Sequence, residues 1–365
     1  MDTKIAKAAL WILLIFWIIL CIAAWLLPQK DISVAERRHL SKRPTPSVQT
    51  VADGTFMSDF ESYAVDQFPL RDTFRSVKAL FSTNILNQKD NHNIYLLNGY
   101  LSEIVYPLNT QSLERALRQF NLVYDTYLKD SGCVTFSAVI PDKNYYLSQE
   151  GGYPQMDYDR LFSTVRQELS WSTYIDLTQT LSVSDYYRTD THWRQESLIP
   201  TAQRIAAAMG LTLPQEDNYE TKLSPYPFYG VYYGQAALPV EPDTLYMLDN
   251  AALRACKVYR HQTQDNGFVY DLDKLKGNDL YEVYLSGAQS LLTIENPNAR
   301  TQRELIVFRD SYASSLVPLL LGDYQKVTLV DIRYIPANQL GKYIDFQGQD
   351  VLFLYSTLVL NKNQI

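Results

Sequence analysis

Leu305-Ile306-Val307-Phe308-Arg309-Asp310-Ser311-Tyr312-Ala313-Ser314-Ser315-Leu316-Val317 is the stretch on which the fold turns. Four consecutive apolar residues are a short buried-strand signal, and the run from Ala313 suits a helix. Arg309-Asp310-Ser311 forms the passage between them. A strand running directly into a helix is the building unit of α/β proteins, where ligands bind beyond the carboxyl ends of the strands. Ser311 thus stands where a nucleophile can be served by backbone N–H groups at a helix start. Asp310 or Ser311 also suits the plain role of capping that helix.

Working outward, the same alternation recurs. Lys326 to Val330 and Val351 to Tyr355 predict strands, and Val134 to Ile140, ending at Pro141, reads as a buried parallel strand. Thr173 to Leu177 predicts another strand. Helices are expected over about Gln111 to Leu128, Tyr158 to Leu169 and Arg194 to Met209. Asn98-Gly99 between Ile94–Leu97 and Tyr100–Val105 is a hairpin signal. A helical pattern from Thr55 to Leu86 is interrupted near Pro69, and the Tyr/Pro/Gly-rich stretch Asn218 to Leu238 reads as loop. Strands alternating with helices imply an α/β fold with a mostly parallel sheet covered on both faces.

Ala8 to Leu27 carries no charged side chain, and about 20 apolar residues suffice for a helix to cross the hydrocarbon core. Lys4 and Lys7 precede it, which places the N-terminus in the cytoplasm and the rest outside; Arg37 and Arg38 on the far side weaken that bias slightly. The apolar run continues through Trp25-Leu26-Leu27, past the small residues around Ala23-Ala24, so an uncleaved anchor is expected rather than a signal peptide. The expected division is 1–29 as cytoplasmic tip and transmembrane anchor, 30–50 as an extended linker rich in Pro, Ser and Thr, and 51–365 as one catalytic domain. The localisation that follows is a single-pass cell-membrane protein with its domain extracellular or periplasmic.

The 365 residues suffice for one large domain, so size does not limit catalysis. A net charge of -7 with no run of Lys or Arg longer than a pair such as Arg37-Arg38 removes the footprint of a nucleic-acid binder. Three cysteines support no disulfide framework and no thiolate zinc site, although Cys133 and Cys256 can pair outside a cell. No metal ligand set is apparent. The 28 tyrosines cluster at Tyr145-Tyr146, Tyr186-Tyr187, Tyr226, Tyr229 and Tyr232-Tyr233, which suits either a sugar surface or ordinary aromatic packing.

A catalytic serine needs a base, usually a histidine oriented by a carboxylate. Of four histidines, His39 lies in the linker, His92 beside polar residues and His261 in a polar stretch. Only His192 belongs to a compact acid-base cluster, Arg188-Thr189-Asp190-Thr191-His192-Trp193. Asp190 can reach one imidazole nitrogen while the other faces Ser311. Asp190 or Thr191 can equally start the helix at Arg194 and leave His192 exposed.

Tyr187-Arg188-Thr189-Asp190-Thr191-His192-Trp193 resembles the signature of the DHHW family and of the related alginate O-acetyltransferase branch of SGNH-type hydrolases. Further segments resemble that pattern in order: Ala35-Glu36-Arg37-Arg38 through Pro44, Asp66-Gln67-Phe68-Pro69-Leu70-Arg71, Asn98-Gly99-Tyr100-Leu101, Ile140-Pro141-Asp142-Lys143, Arg309-Asp310-Ser311-Tyr312 and Asp331-Ile332-Arg333-Tyr334. The resemblance covers essentially the whole chain beyond the anchor. It implies an SGNH-hydrolase-like three-layer α/β/α fold, with Ser311 as nucleophile, His192 as general base and Asp190 orienting it. Thr191 stands where the family name has its second letter, His, and Arg309 stands where typical SGNH enzymes have glycine, so their oxyanion arrangement does not carry over. The Ser311 backbone N–H is the candidate donor. Lys143, Tyr145, Tyr232, Tyr233 and Arg309 are candidate substrate contacts, with a surface lysine and packed aromatic loops as the plain alternatives.

The implied function is O-acetylation of a cell-surface or exported polysaccharide through an acyl-serine, without a cofactor. A membrane-bound O-acyltransferase is the implied partner, supplying acyl groups across the membrane. Two rivals stand beside it: a carbohydrate O-acetylesterase with the same triad, and a non-catalytic glycan-binding or export-complex scaffold.

Overall fold

The computed structural model describes residues 3–365. Contacts divide the chain into two compact units: one runs to His92 and includes Tyr233–Pro239, the other comprises Asn93–Tyr232 and Val240–Ile365.

The larger unit is built on one eight-stranded sheet. In chain order its strands are β1 (Val134–Ile140), β2 (Thr173–Tyr174), β3 (Lys257–Arg260), β4 (Asp265–Gly267), β5 (Leu291–Glu295), β6 (Arg303–Arg309), β7 (Tyr324–Val330) and β8 (Asp350–Ser356). Across the sheet they lie in the order β4-β3-β5-β7-β6-β8-β1-β2. The five from β7 to β2 are mutually parallel, and β5, β3 and β4 add an antiparallel extension.

Strand side chains alternate between two cores, as the pleat requires. Leu305 and Val307 of β6 and Leu352 and Leu354 of β8 enter one core, with Ile205, Leu316 and Leu320. Ile306 and Phe308, with Val351 and Phe353, enter the other, with Leu117, Phe120 and Leu161. Each such side chain contributes about 1.5–3 kcal/mol on burial. The helices are Thr110–Val123 and Tyr158–Glu168 on one face and Ile199–Ala208 and Ala313–Leu316 on the other, giving three layers.

The apolar strands are where the sequence puts them, and the hairpin turn has left-handed Asn98 and Gly99 (φ 51° and 82°), as a two-residue Asn-Gly turn demands. Several elements differ. Thr173 to Leu177 shrinks to two strand residues, and the helix expected from Arg194 starts at Ile199, with Pro200 in its first turn after a 3₁₀ turn at Gln195–Ser197. The stretch read as loop holds a short strand, Glu220–Leu223, and a helix, Val231–Ala236. Strands β3, β4 and β5 carry no legible pattern because they are short and interleave Lys257, Arg260 and Glu295 with apolar residues.

In the smaller unit, Lys4–Leu26 is one helix long and apolar enough to span a membrane, with a mean hydropathy of 2.8. The helical pattern breaks at Pro69, as expected, into Thr55–Asp66 and Arg71–Leu80, the latter continued by a wide turn at Phe81–Ile85. The first part of residues 30–50, expected as an extended linker, is folded. Ile32–Ser33 pairs with Arg38–His39, and the Arg38 guanidinium grips both oxygens of Asp66 at 2.9 and 2.5 Å. That contact holds the Asp66 carboxyl well below the usual range. Arg71 adds a 2.6 Å bond to Glu36. The segments 35–38 and 66–71 thus meet as one ion-pair lock, which overrides the local extended preference.

Candidate active site

The carboxyl ends of β6, β8 and β1 are neighbours, since Arg309 pairs with Leu354 and Ser356 with Ile140. Each ends in a turn pinned by a buried aspartate. After β6, Asp310 accepts the Tyr312 N–H at 3.0 Å and, with its other oxygen, the Ser356 N–H at 2.7 Å. This fixes Ser311 between them, half-buried. After β1, Asp142 caps the helix Lys143–Gly151 through the Asn144 N–H at 2.8 Å and accepts hydroxyls from Tyr158 and Thr357. Burial pushes the Asp142 carboxyl up.

The loop 187–193 crosses above these ends. Asp243 takes the N–H groups of Arg188 and Thr189, each at 2.8 Å, and the Thr189 hydroxyl at 2.5 Å. Beneath it, Lys143 donates to the carbonyls of Tyr187 (2.9 Å) and Arg188 (3.3 Å). The Trp193 indole N–H reaches the Tyr312 carbonyl and the Ser315 hydroxyl, both at 3.0 Å, and so ties the loop to the turn that bears Ser311.

The result is a linear relay. Asp190, fully buried, lies 2.6 Å from His192 Nδ1, and His192 Nε2 lies 2.8 Å from Ser311 Oγ. Asp190 Oδ1 also accepts the His192 backbone N–H at 3.0 Å, while Oδ2 accepts the Val231 N–H at 2.8 Å. A carboxylate only accepts, so Nδ1 carries the proton and Nε2 presents its lone pair to the serine hydroxyl. Tyr281 stacks on the imidazole, with centroids 3.8 Å apart and planes 10° off parallel. Gly230 lets the chain pass: a Cβ there would lie 2.3 Å from the Asp190 Cα.

The turn after Ser311 uses its own donors. Tyr312 N–H bonds Asp310, Ala313 N–H the Asp310 carbonyl and Ser314 N–H the Ser311 carbonyl. Among the described residues no acceptor takes the Ser311 N–H, the remaining donor beside the hydroxyl. The short helix Ala313–Leu316 runs on as a 3₁₀ helix to Asp323.

The expected substrate contacts separate. Lys143 is only 2% exposed, supports the loop and has its Nζ 4.9 Å from the centre of the Tyr232 ring; burial pushes its pKa down to about 7. The Tyr232 hydroxyl donates to Thr191 at 3.2 Å. Tyr145 packs edge-on against Tyr158 and Phe162. Arg309 is fully buried and bonds the Ser314 hydroxyl at 3.1 Å. Tyr233 belongs to the smaller unit. Cys133 and Cys256 are both free thiols. Sequence reasoning missed Asp243 and Tyr281, and read Gly230 only as part of an aromatic loop. Nothing local marks them, since each acts across more than 35 residues of chain.

This architecture is a three-layer α/β/α fold of the SGNH-hydrolase-like kind, and solved structures share it. Residues 167–330, which hold the Asp190 to Trp193 loop and Ser311, match the family model described as DHHW protein. A DHHW family protein from Eubacterium siraeum DSM 15702 is 19% identical with a TM-score of 0.58, over 75% of this chain and 94% of that one. PatB1 from Bacillus cereus, in a structure with a sulfonyl adduct, is 17% identical with a TM-score of 0.59, over 74% and 97%. The O-acetyltransferase domain of Pseudomonas putida AlgJ is 16% identical with a TM-score of 0.48, over 74% and 92%. No curated protein sequence matches. The resemblance to DHHW proteins read from the sequence is thereby borne out.

Proposed function

We propose that this protein is a membrane-anchored, extracytoplasmic O-acetyltransferase that modifies a cell-surface or exported polysaccharide through an acyl-Ser311 intermediate. The observation that carries the proposal is the imidazole of His192 bridging Asp190 and Ser311 at 2.6 and 2.8 Å. As Ser311 Oγ attacks the acyl carbon of a donor ester, its proton passes to His192 Nε2. Asp190 stabilises the imidazolium, and the Ser311 N–H faces the developing oxyanion. The donor C–O bond breaks, and its oxygen leaves with the proton from Nε2. A sugar hydroxyl then gives its proton to Nε2, attacks the acyl carbon and releases Ser311 Oγ, which takes the proton back.

The polysaccharide acceptor rests on the DHHW resemblance together with the apolar N-terminal helix. The same resemblance makes a membrane-bound O-acyltransferase the proposed source of acetyl groups, delivered across the bilayer. PatB1, which shares the fold, is known with a sulfonyl adduct, and sulfonyl reagents capture activated serine hydroxyls, so they suit a test here.

The full chain in detergent micelles, incubated with an activated acetyl ester with and without an oligosaccharide, is expected to release the leaving group and acetylate the sugar. Ser311→Ala and His192→Ala should do neither. Equal turnover in variants and wild type sinks the reading, and ester hydrolysis unaffected by any sugar acceptor points to an esterase.

A further inference from the structure

We infer that the helix following Pro69 lies on the surface of the bilayer, with its apolar side in the lipid interface. The proposal goes beyond the acetyl-transfer reading and does not depend on it.

Arg71–Leu80 and the turn Phe81–Ile85 form a continuous helical rod that is inside out for water. Its two arginines face the protein. Arg71 and Arg75 are 16% and 23% exposed and pair with Glu36 at 2.6 and 3.2 Å, and Arg75 also bonds the Gly234 carbonyl. Its apolar side faces out: Leu70, Val77, Phe81 and Ile85, at successive spacings of seven, four and four residues, are 53–64% exposed. These spacings place them on one stripe about 22 Å long at 1.5 Å per residue. Soluble surfaces rarely show a contiguous apolar stripe, so something covers it.

The anchor in the same unit says what covers it. Gln67, at the break before this rod, is bonded through both side-chain atoms to the backbone of Lys30, each at 2.9 Å. Lys30 is four residues beyond the end of the apolar helix at Leu26, a reach of at most about 14 Å. Leu70 therefore begins the stripe close to the point where the chain leaves the hydrocarbon. Trp25, in the last turn of that helix, is covered by the Arg43 guanidinium 4.8 Å from its ring centre. A tryptophan capped by a cation marks headgroup level. The connector from Lys30 to Arg43 thus lies at the interface and holds the rod there. A helix with one strongly apolar side placed at that depth buries that side among acyl chains.

The test uses the full chain alone in lipid nanodiscs, with its three cysteines replaced (Cys21→Ala, Cys133→Ser, Cys256→Ser). Single cysteines carrying a bimane fluorophore are then introduced as Leu70→Cys, Val77→Cys and Phe81→Cys, and as Asp72→Cys on the opposite side of the rod. Lipids brominated near the headgroup are expected to quench the first three and leave position 72 bright. Adding Phe81→Asp to the Val77→Cys protein should abolish quenching there while the circular dichroism spectrum is unchanged. Bright labels at 70, 77 and 81 in this bilayer, which holds no other membrane protein, overturn the inference and assign the stripe to another protein. Equal quenching at all four positions, including 72, also overturns it, because it shows no oriented side.

Discussion

Replacing Asp190 with asparagine tests the relay at its most constrained point. Asp190 spends one oxygen on two donors of His192, the ring Nδ1–H at 2.6 Å and the backbone N–H at 3.0 Å, and the other on the Val231 N–H at 2.8 Å. Each of these three groups is a donor, and the side chain is fully buried. An asparagine has one accepting atom, so either rotamer sets an NH₂ against an N–H. If its oxygen stays on His192, the imidazolium loses its charged partner, about 1.5–3 kcal/mol or roughly ten- to a hundredfold in rate. If it turns to Val231, the NH₂ forces Nδ1 to accept and Nε2 to carry the proton. His192 then cannot take the Ser311 proton, and the loss approaches the ~10⁴-fold known for a triad histidine in the wrong tautomer. A fall of about 10³-fold is expected, with a destabilisation of about 1–3 kcal/mol from the mispaired donors. The assay is the rate at which a sulfonyl fluoride adds to Ser311, followed by intact mass, with Ser311→Ala as blank. An Asp190→Asn rate within tenfold of wild type refutes the reasoning.

Gly230→Ala places a methyl group 2.3 Å from the Asp190 Cα and Cβ, so the backbone must move; labelling should slow by about a hundredfold, and an unchanged rate shows that the loop accommodates it. Tyr281→Phe keeps the ring on His192 and removes only its bond to the Ser315 hydroxyl. Denaturation should show a loss of about 1 kcal/mol with little change in labelling, whereas a large rate loss would give the phenol a part in the chemistry. Lys143→Met concerns pH. Burial lowers the Lys143 pKa to about 7, while an unfolded lysine holds its proton to about 10.4. The unfolded chain therefore binds more protons between those values, and the stability of wild type rises with pH across that window; below about 7 the burial cost is fully present. Denaturation at pH 6 and pH 9 should show wild type gaining on Lys143→Met at the higher pH, and the opposite trend overturns the assignment.

The parallel half of the sheet was legible because buried strands leave unbroken apolar runs, as in Leu305 to Phe308 and Val351 to Tyr355. The antiparallel extension was not, because Lys257–Arg260 and Leu291–Glu295 acquire their strand character from a paired neighbour. Asp190, His192 and Ser311 could each be singled out by residue type and neighbourhood, yet each was as compatible with capping as with chemistry. Their mutual distances come only from the fold, because 119 residues separate His192 from Ser311 along the chain.

The sequence by itself therefore determined the α/β class, the apolar N-terminal helix, the break at Pro69 and the Asn98-Gly99 turn, all consequences of side-chain periodicity and backbone preference within a few residues. Only the tertiary structure brought the imidazole between carboxylate and hydroxyl, buried Lys143 and Arg309 as supports, stacked Tyr281 on His192 and folded residues 30–41 back onto Asp66 and Gln67. Those outcomes depend on which strand ends lie side by side and on which charges meet after desolvation. Local sequence carries no record of either.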